Sequence, residues 1–256
     1  MKSAKKVIEE KLAKGQNVLI FFVGDSITWG ISHVTDEETY TACVARHFAK
    51  RYRETTVVRY DGIANGDLSP LAGYSEPIVI QEGTKGKITV VRCGIGGNTV
   101  RRAINRKDDY IGKFITDEEP DIYVSMFGIN DALFEDPSKY VVPEQFEKDL
   151  REYYDILCTN QKAVKVFMTP TWNDDGDKCT SCLEPYSDKV KLIAKEKGLQ
   201  CIDTHALWMS HLKIGTENYG QRDWLSNVKG DKCHFSAVGS TATADFIFNE
   251  LCGLVL

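Results

Sequence analysis

The sequence predicts an α/β protein with a mostly parallel central sheet. Two patterns carry that expectation. Short apolar runs alternate with segments of helical period along the whole chain, and most of those runs are apolar on both faces, as strands covered by helices on each side must be. The 256 residues hold no internal repeat, low-complexity tract or linker, so 1–256 reads as a single domain.

Each element has its own signal. Val7, Ile8 and Leu12 interleave with Lys and Glu near the N-terminus, which reads as a short amphipathic helix and not as the apolar stretch of a signal peptide. Strands are expected at Val18–Val23, Thr56–Tyr60, Ile88–Arg92, Asp121–Phe127, Val164–Thr169 and Leu199–Asp203. Between them, Thr39–Tyr52 aligns Tyr40, Val44, Phe48 and Tyr52 on one helical stripe. Pro143–Asn160 does so with Phe146, Leu150, Tyr153 and Leu157. Ser236 is an N-cap candidate for a last helix burying Ala244, Ile247, Phe248 and Leu251. Gly62–Glu76, Thr169–Glu184 and Ile214–Cys233 read as long loops, which in compact domains are often functional.

Composition narrows the function classes. A formal net charge of -5, with Lys and Arg scattered among the acids, offers no basic stripe for nucleic acid. No window approaches the ~18 apolar residues of a membrane span. The expected location is cytoplasmic, or secreted if a signal has been removed. Of eight cysteines, Cys43, Cys158 and Cys252 fall within helical patterns as small hydrophobes. Cys179 and Cys182 form a lone C-x-x-C whose readings are loop thiols, a local disulfide, or a metal pair joined by Cys201, His205 or His211. The chemistry calls for no cofactor and no metal.

Ligands of an open parallel sheet collect at the carboxyl ends of its strands. Three such tips are polar: Gly24-Asp25-Ser26, Cys93-Gly94-Ile95-Gly96-Gly97-Asn98, and Gly128-Ile129-Asn130-Asp131. A serine hydroxyl attacks only when a base removes its proton, and an imidazole suits that task. Among the histidines, His33, His47, His205 and His211 lie on or beside helical patterns. His234 stands instead three residues after Asp231 in a turn before a helix, a spacing that lets the carboxylate hold the Nδ1 proton and present Nε2 outward. Asp25 and Asp131 read as acceptors for backbone amides at strand-to-helix turns.

Four blocks, Gly24-Asp25-Ser26-Ile27, Gly94-x-x-Gly97-Asn98-Thr99, Gly128-x-Asn130-Asp131 and Asp231-x-x-His234, resemble in order and placement those of the GDSL, or SGNH, hydrolases. That resemblance implies a flavodoxin-like three-layer α/β/α fold and ester hydrolysis through a serine acyl-enzyme. It makes Ser26 the nucleophile, His234 the base, Asp231 its orienting acid, and Ser26, Gly97 and Asn130 the oxyanion donors. Arg92-Cys93 departs from the family pattern, where Asn and a small residue often precede the first middle glycine. Dinucleotide and phosphate-loop spacings are not met, and no Gly-x-Ser-x-Gly elbow is present.

Trp29, Trp172 and Trp224, with Tyr219 and the polar Asn173, Asp174, Asp175 and Asn218, would suit stacking against a sugar. The expected substrate is therefore a small ester, an O-acetylated carbohydrate foremost. A lysophospholipase or thioesterase, needing a long apolar groove, is the second enzyme reading, and a catalytically silent ligand-binding domain is the reading from another class.

Overall fold

A computed structural model describes residues 3–31, 35–64, 66, 69, 71–107, 119–133, 136–157, 162–172, 180–213, 222–226, 228, 231 and 233–254. Its strands are β1 (Val18–Gly24), β2 (Thr56–Ala64), β3 (Leu71–Tyr74), β4 (Ile78–Gln81), β5 (Lys87–Gly94), β6 (Ile122–Met126), β7 (Val164–Met168) and β8 (Gln200–Ile202). They form one sheet in the order β3-β2-β5-β1-β6-β7-β8, with β4 also paired to β2. The helices are α1 (Ala4–Ala13), α2 (Ser26–Trp29), α3 (Tyr40–Arg51), α4 (Val100–Asn105), α5 (Pro143–Leu157), α6 (Thr180–Lys197), α7 (Thr204–Lys213) and α8 (Ala237–Cys252).

All six expected strands form, and β2, β5, β1, β6, β7 and β8 run parallel. The five strands β5-β1-β6-β7-β8 follow the flavodoxin-like order, with β2 added outboard of β5. Val18–Val23 is buried throughout, with Ile20 and Phe22 at 0% exposure, as a central strand between two helical layers requires. One layer joins α1, α3 and α7 to α8, and the other stacks α4 on α5 and α5 on α6.

Two expectations need correction. Gly62–Glu76 is not wholly irregular: β2 runs on to Ala64, and β3 pairs antiparallel with it through Gly62–Tyr74 and Ile63–Gly73. β3 and β4 are four-residue edge strands, too short for alternation to stand out from a loop. Likewise α6 begins at Thr180, inside the expected loop Thr169–Glu184, with Pro185 in its first turns. Within Ile214–Cys233, a single 3-10 turn (Arg222–Trp224) and a bridge between Leu225 and Phe235 add order. Cys158, Cys179, His33, Tyr219, Asn173, Asp174, Asp175 and Asn218 lie outside the described residues, as does the side chain of Cys182.

Candidate active site

The sheet order reverses at β1, and the crevice that this switch point opens lies at the carboxyl ends of β1, β5 and β6. Gly24 and Gly94 end two adjacent strands as register partners. A Cβ on Gly24 would lie 2.2 Å from Thr28 Oγ1, and one on Gly94 only 2.1 Å from the Trp29 nitrogen. Paired glycines thus let the short helix α2 lie directly across the strand tips. Asp25 caps α2, its Oδ1 accepting the Ile27 N–H at 2.9 Å, and Ser26 is the first helical residue. The turn-forming and the chemically interesting roles of this segment therefore fall on different residues: Asp25 holds the turn, and Ser26 is presented by it.

Ser26 Oγ lies 2.8 Å from His234 Nε2, although 208 positions separate the two in sequence. On the far side of the ring, Nδ1 stands 2.9 and 3.1 Å from the two Asp231 carboxylate oxygens. The backbone N–H groups of Cys233 and His234 also donate to Asp231 Oδ1, each at 3.1 Å. Burial works against charge on Asp231, but these donors and the imidazole outweigh it and hold the carboxyl below its ordinary value. The turn itself is clamped, because the His234 carbonyl accepts from Ser226 N at 2.9 Å, and Ser236 N donates to the Trp224 carbonyl at 2.8 Å. Ser236 then caps α8 by accepting the Gly239 N–H, as its position suggested.

The other two strand tips are each held by their own hydrogen bonds. Gly97 has φ of +67°, a conformation that favours glycine, and its carbonyl accepts from Arg102 Nη1 at 2.9 Å. Asn130, 5% exposed, gives one amide proton to the Asn98 carbonyl at 3.0 Å, which fixes the amide plane while its second proton is not committed to that bond. Asp131 accepts the Val100 N–H at 3.1 Å and so ties the β6 tip to the start of α4. Complete burial raises Asp131 to about 8, and raises Asp25 to about 6 against the pull of the Ile27 N–H and of His234. A hydroxyl, an imidazole and a charged carboxylate in line can take a proton from oxygen, and amide donors at neighbouring strand tips are the groups that suit a developing oxyanion.

Sequence reasoning flagged Arg92 only as a departure from pattern. Its side chain is buried and donates from Nη1 to the Trp29 carbonyl at 2.6 Å, at the end of α2. Nη2 meets Asp36 at 2.6 Å and Nε lies 3.2 Å from Asp61, whose other oxygen accepts from fully buried Arg59. This ion cluster fixes the exit of α2 from beneath.

The three tryptophans part company. Trp29 is half-buried on α2, beside Ser26. Trp172 is 3% exposed and belongs to the core, so the expected sugar contact is corrected there: its ring has no free face. Trp224, half-exposed, stacks one face on His211 with centroids 3.7 Å apart and makes a T-shaped contact with Trp208. Cys201 is a free thiol, His205 Nδ1 bonds the Thr171 carbonyl, and His211 pairs with Asp223, so these three are not gathered into one ligand set.

The sheet order and the blocks at its strand tips define an SGNH-type hydrolase fold, and among solved structures its relatives are esterases. A variant of the acetyl xylan esterase Axe2 from Geobacillus stearothermophilus superposes with a TM-score of 0.65 at 23% identity, covering 94% of this chain and 99% of that one. Another structure of Axe2 gives 0.63 at 25% identity over 93% and 95%. The lipase/acylhydrolase from Enterococcus faecalis gives 0.63 at 19% identity over 92% and 96%. The model of the GDSL-like Lipase/Acylhydrolase family matches residues 68–242, more than half of the 256 residues, and the chain belongs to that family. It is a carboxylic ester hydrolase. The match begins after the Gly24-Asp25-Ser26 segment, so the serine block is an observation independent of it. No curated protein matches the chain.

Proposed function

We propose that the protein removes small acyl groups, O-acetyl groups on carbohydrates foremost, through a covalent acyl-enzyme on Ser26. His234 takes the Ser26 proton as Oγ attacks the ester carbonyl and returns it to the leaving alcohol. Water, activated by the same imidazole, then releases the carboxylic acid. Asp231 holds the ring in the tautomer that leaves Nε2 as acceptor, and the backbone N–H groups of Ser26 and Gly97 with the Asn130 amide receive the oxyanion. The observation that carries this reading is the 2.8 Å contact between Ser26 Oγ and His234 Nε2.

The space beside that contact is narrow: a cavity lined by Ile27, Gly30, Ile31 and Phe235 together with Ser26 and His234 has a volume of about 10 Å³, room for a water and none for a long acyl chain. Trp29, close to Ser26 and half-exposed, is the aromatic that remains placed to meet the alcohol portion. The carbohydrate part of the proposal draws on the acetyl xylan esterase neighbours.

Hydrolysis of acetyl, butyryl and octanoyl chromogenic esters, and acetate release from acetylated xylooligosaccharides, by wild type and Ser26→Ala tests it. Acetyl preference that vanishes in Ser26→Ala is expected. Equal rates for the two proteins would sink the serine mechanism, and octanoyl preference would replace the deacetylase with a lipase-like enzyme.

A further inference from the structure

The turn that carries His234 holds a thiol the reaction does not use. Cys233 Sγ lies 3.9 Å from His234 Nδ1, itself 2.9 Å from Asp231 Oδ2, and one ligand atom of each residue lies within 4.8 Å of the other two. Cys233 and His234 are partly exposed, whereas the Asp231 side chain is only 7% exposed, so an ion would meet the thiol and imidazole first. We propose that Asp231, Cys233 and His234 form an inhibitory site for a thiophilic divalent cation such as Zn²⁺. This rests on the reading of His234 as the base.

The geometry is close to what zinc needs. With Zn–S of ~2.3 Å, Zn–N of ~2.0 Å and Zn–O of ~2.0–2.2 Å, tetrahedral ligation sets S···N at roughly 3.5 Å and N···O at roughly 3.4 Å. The thiol–imidazole and imidazole–carboxylate spacings of 3.9 and 2.9 Å lie close to these values, and the thiol and carboxylate, within 4.8 Å of one another, are drawn together by side-chain rotation. The backbone of the turn is already fixed by the two N–H bonds to Asp231 Oδ1 and by the Leu225–Phe235 bridge. Water completes the fourth position. A thiolate, an imidazole and a carboxylate select zinc-like ions over Mg²⁺ and Ca²⁺, which demand oxygen.

Binding would silence the enzyme through the tautomer. In the working state Nδ1 carries the ring proton, facing Asp231, and Nε2 accepts from Ser26. A cation on Nδ1 moves that proton to Nε2, which then donates and cannot accept. The thiol releases its proton to solvent while the ring keeps its own, so one proton leaves per ion bound.

Zinc titration of ester hydrolysis by wild type, Cys233→Ala and Cys233→Ser reads the effect. Wild type should lose turnover and regain it with a chelator, with Mg²⁺ inert. The Cys233 variants, active without zinc, should need about tenfold more zinc or higher for half-inhibition. Cobalt in place of zinc should give a thiolate-to-cobalt charge-transfer band in wild type and in Ser26→Ala, and lose it in Cys233→Ala. Because Ser26→Ala keeps all three ligands, that band separates failure of the metal site from failure of the serine mechanism. Zinc-insensitive wild-type turnover, equal inhibition of wild type and variants, or a band unchanged in Cys233→Ala would overturn the proposal.

Discussion

Three aspartates meet at one rim under opposite conditions. Asp25 and Asp131, at the tips of β1 and β6, are wholly buried; each accepts its own backbone N–H as well as that of Ile27 or Val100, yet burial raises them to about 6 and about 8. Asp231, in the half-exposed turn before α8, receives two backbone N–H groups and an imidazole, and is held below its ordinary value. Location in the crevice alone does not make a carboxylate a partner for the base. Depth of burial, set against the backbone donors and the facing imidazole, decides whether it stays charged: Asp25 and Asp131 lie wholly inside, whereas Asp231 is only partly buried and meets His234 directly. Asp231 is built to remain an anion and Asp131 to remain an acid, so the first can orient an imidazolium and the second can only tie strand to helix.

The largest effect should follow from Asp231→Asn. An amide cannot hold the Nδ1 proton as a carboxylate does, and kcat/KM should fall by about 10⁴ with the circular dichroism spectrum unchanged. Asn130→Ala removes one proposed oxyanion donor and should lower kcat by ~10²–10³ while KM moves little. Asp25→Asn keeps an acceptor for the Ile27 N–H, and turnover should drop by no more than about tenfold, or ~1.4 kcal/mol of barrier. If Asp25→Asn were the more damaging of the two aspartate changes, the assignment of the orienting acid would be reversed.

The sequence made this comparison partly legible. Asp231 was separable from Asp25 and Asp131 because it precedes a histidine by three residues in a turn, whereas the other two stand at strand-to-helix junctions where acids satisfy amides. The central parallel strands were legible for a similar reason, since burial on both faces leaves an unbroken apolar run such as Val18–Val23. What stayed hidden depends on distant partners. Arg92 reads as an ordinary cation, and only folding reveals that Asp36, Asp61 and the Trp29 carbonyl surround it. Trp172 reads as a ring face for sugar because sequence carries no record of the core that buries it, nor of His211 stacked on one face of Trp224. The edge strands β3 and β4 were missed because four residues cannot establish a period.

The smallest effect on turnover should come from Asp131→Asn, and its signature is in stability. The folded-state value of about 8 exceeds the ordinary 3.8, so the folded chain keeps a proton that the unfolded chain gives up as pH rises between them. The stability Asp131 contributes is therefore full below 3.8 and is lost progressively up to about 8. Asp25 adds a loss in the same direction that ends near its own value of about 6, and Asp231, held below 3.8, is charged in both states above that point. Between about pH 6 and about 8, then, Asp131 should dominate the rim's contribution. Asn keeps the Val100 acceptor without a titrating proton. Denaturant midpoints should show wild type losing on the order of a few kcal/mol relative to Asp131→Asn across that window. Parallel pH profiles for the two proteins would mean that Asp131 is solvated or partnered as Asp231 is, and the contrast between the two halves of the rim would fail.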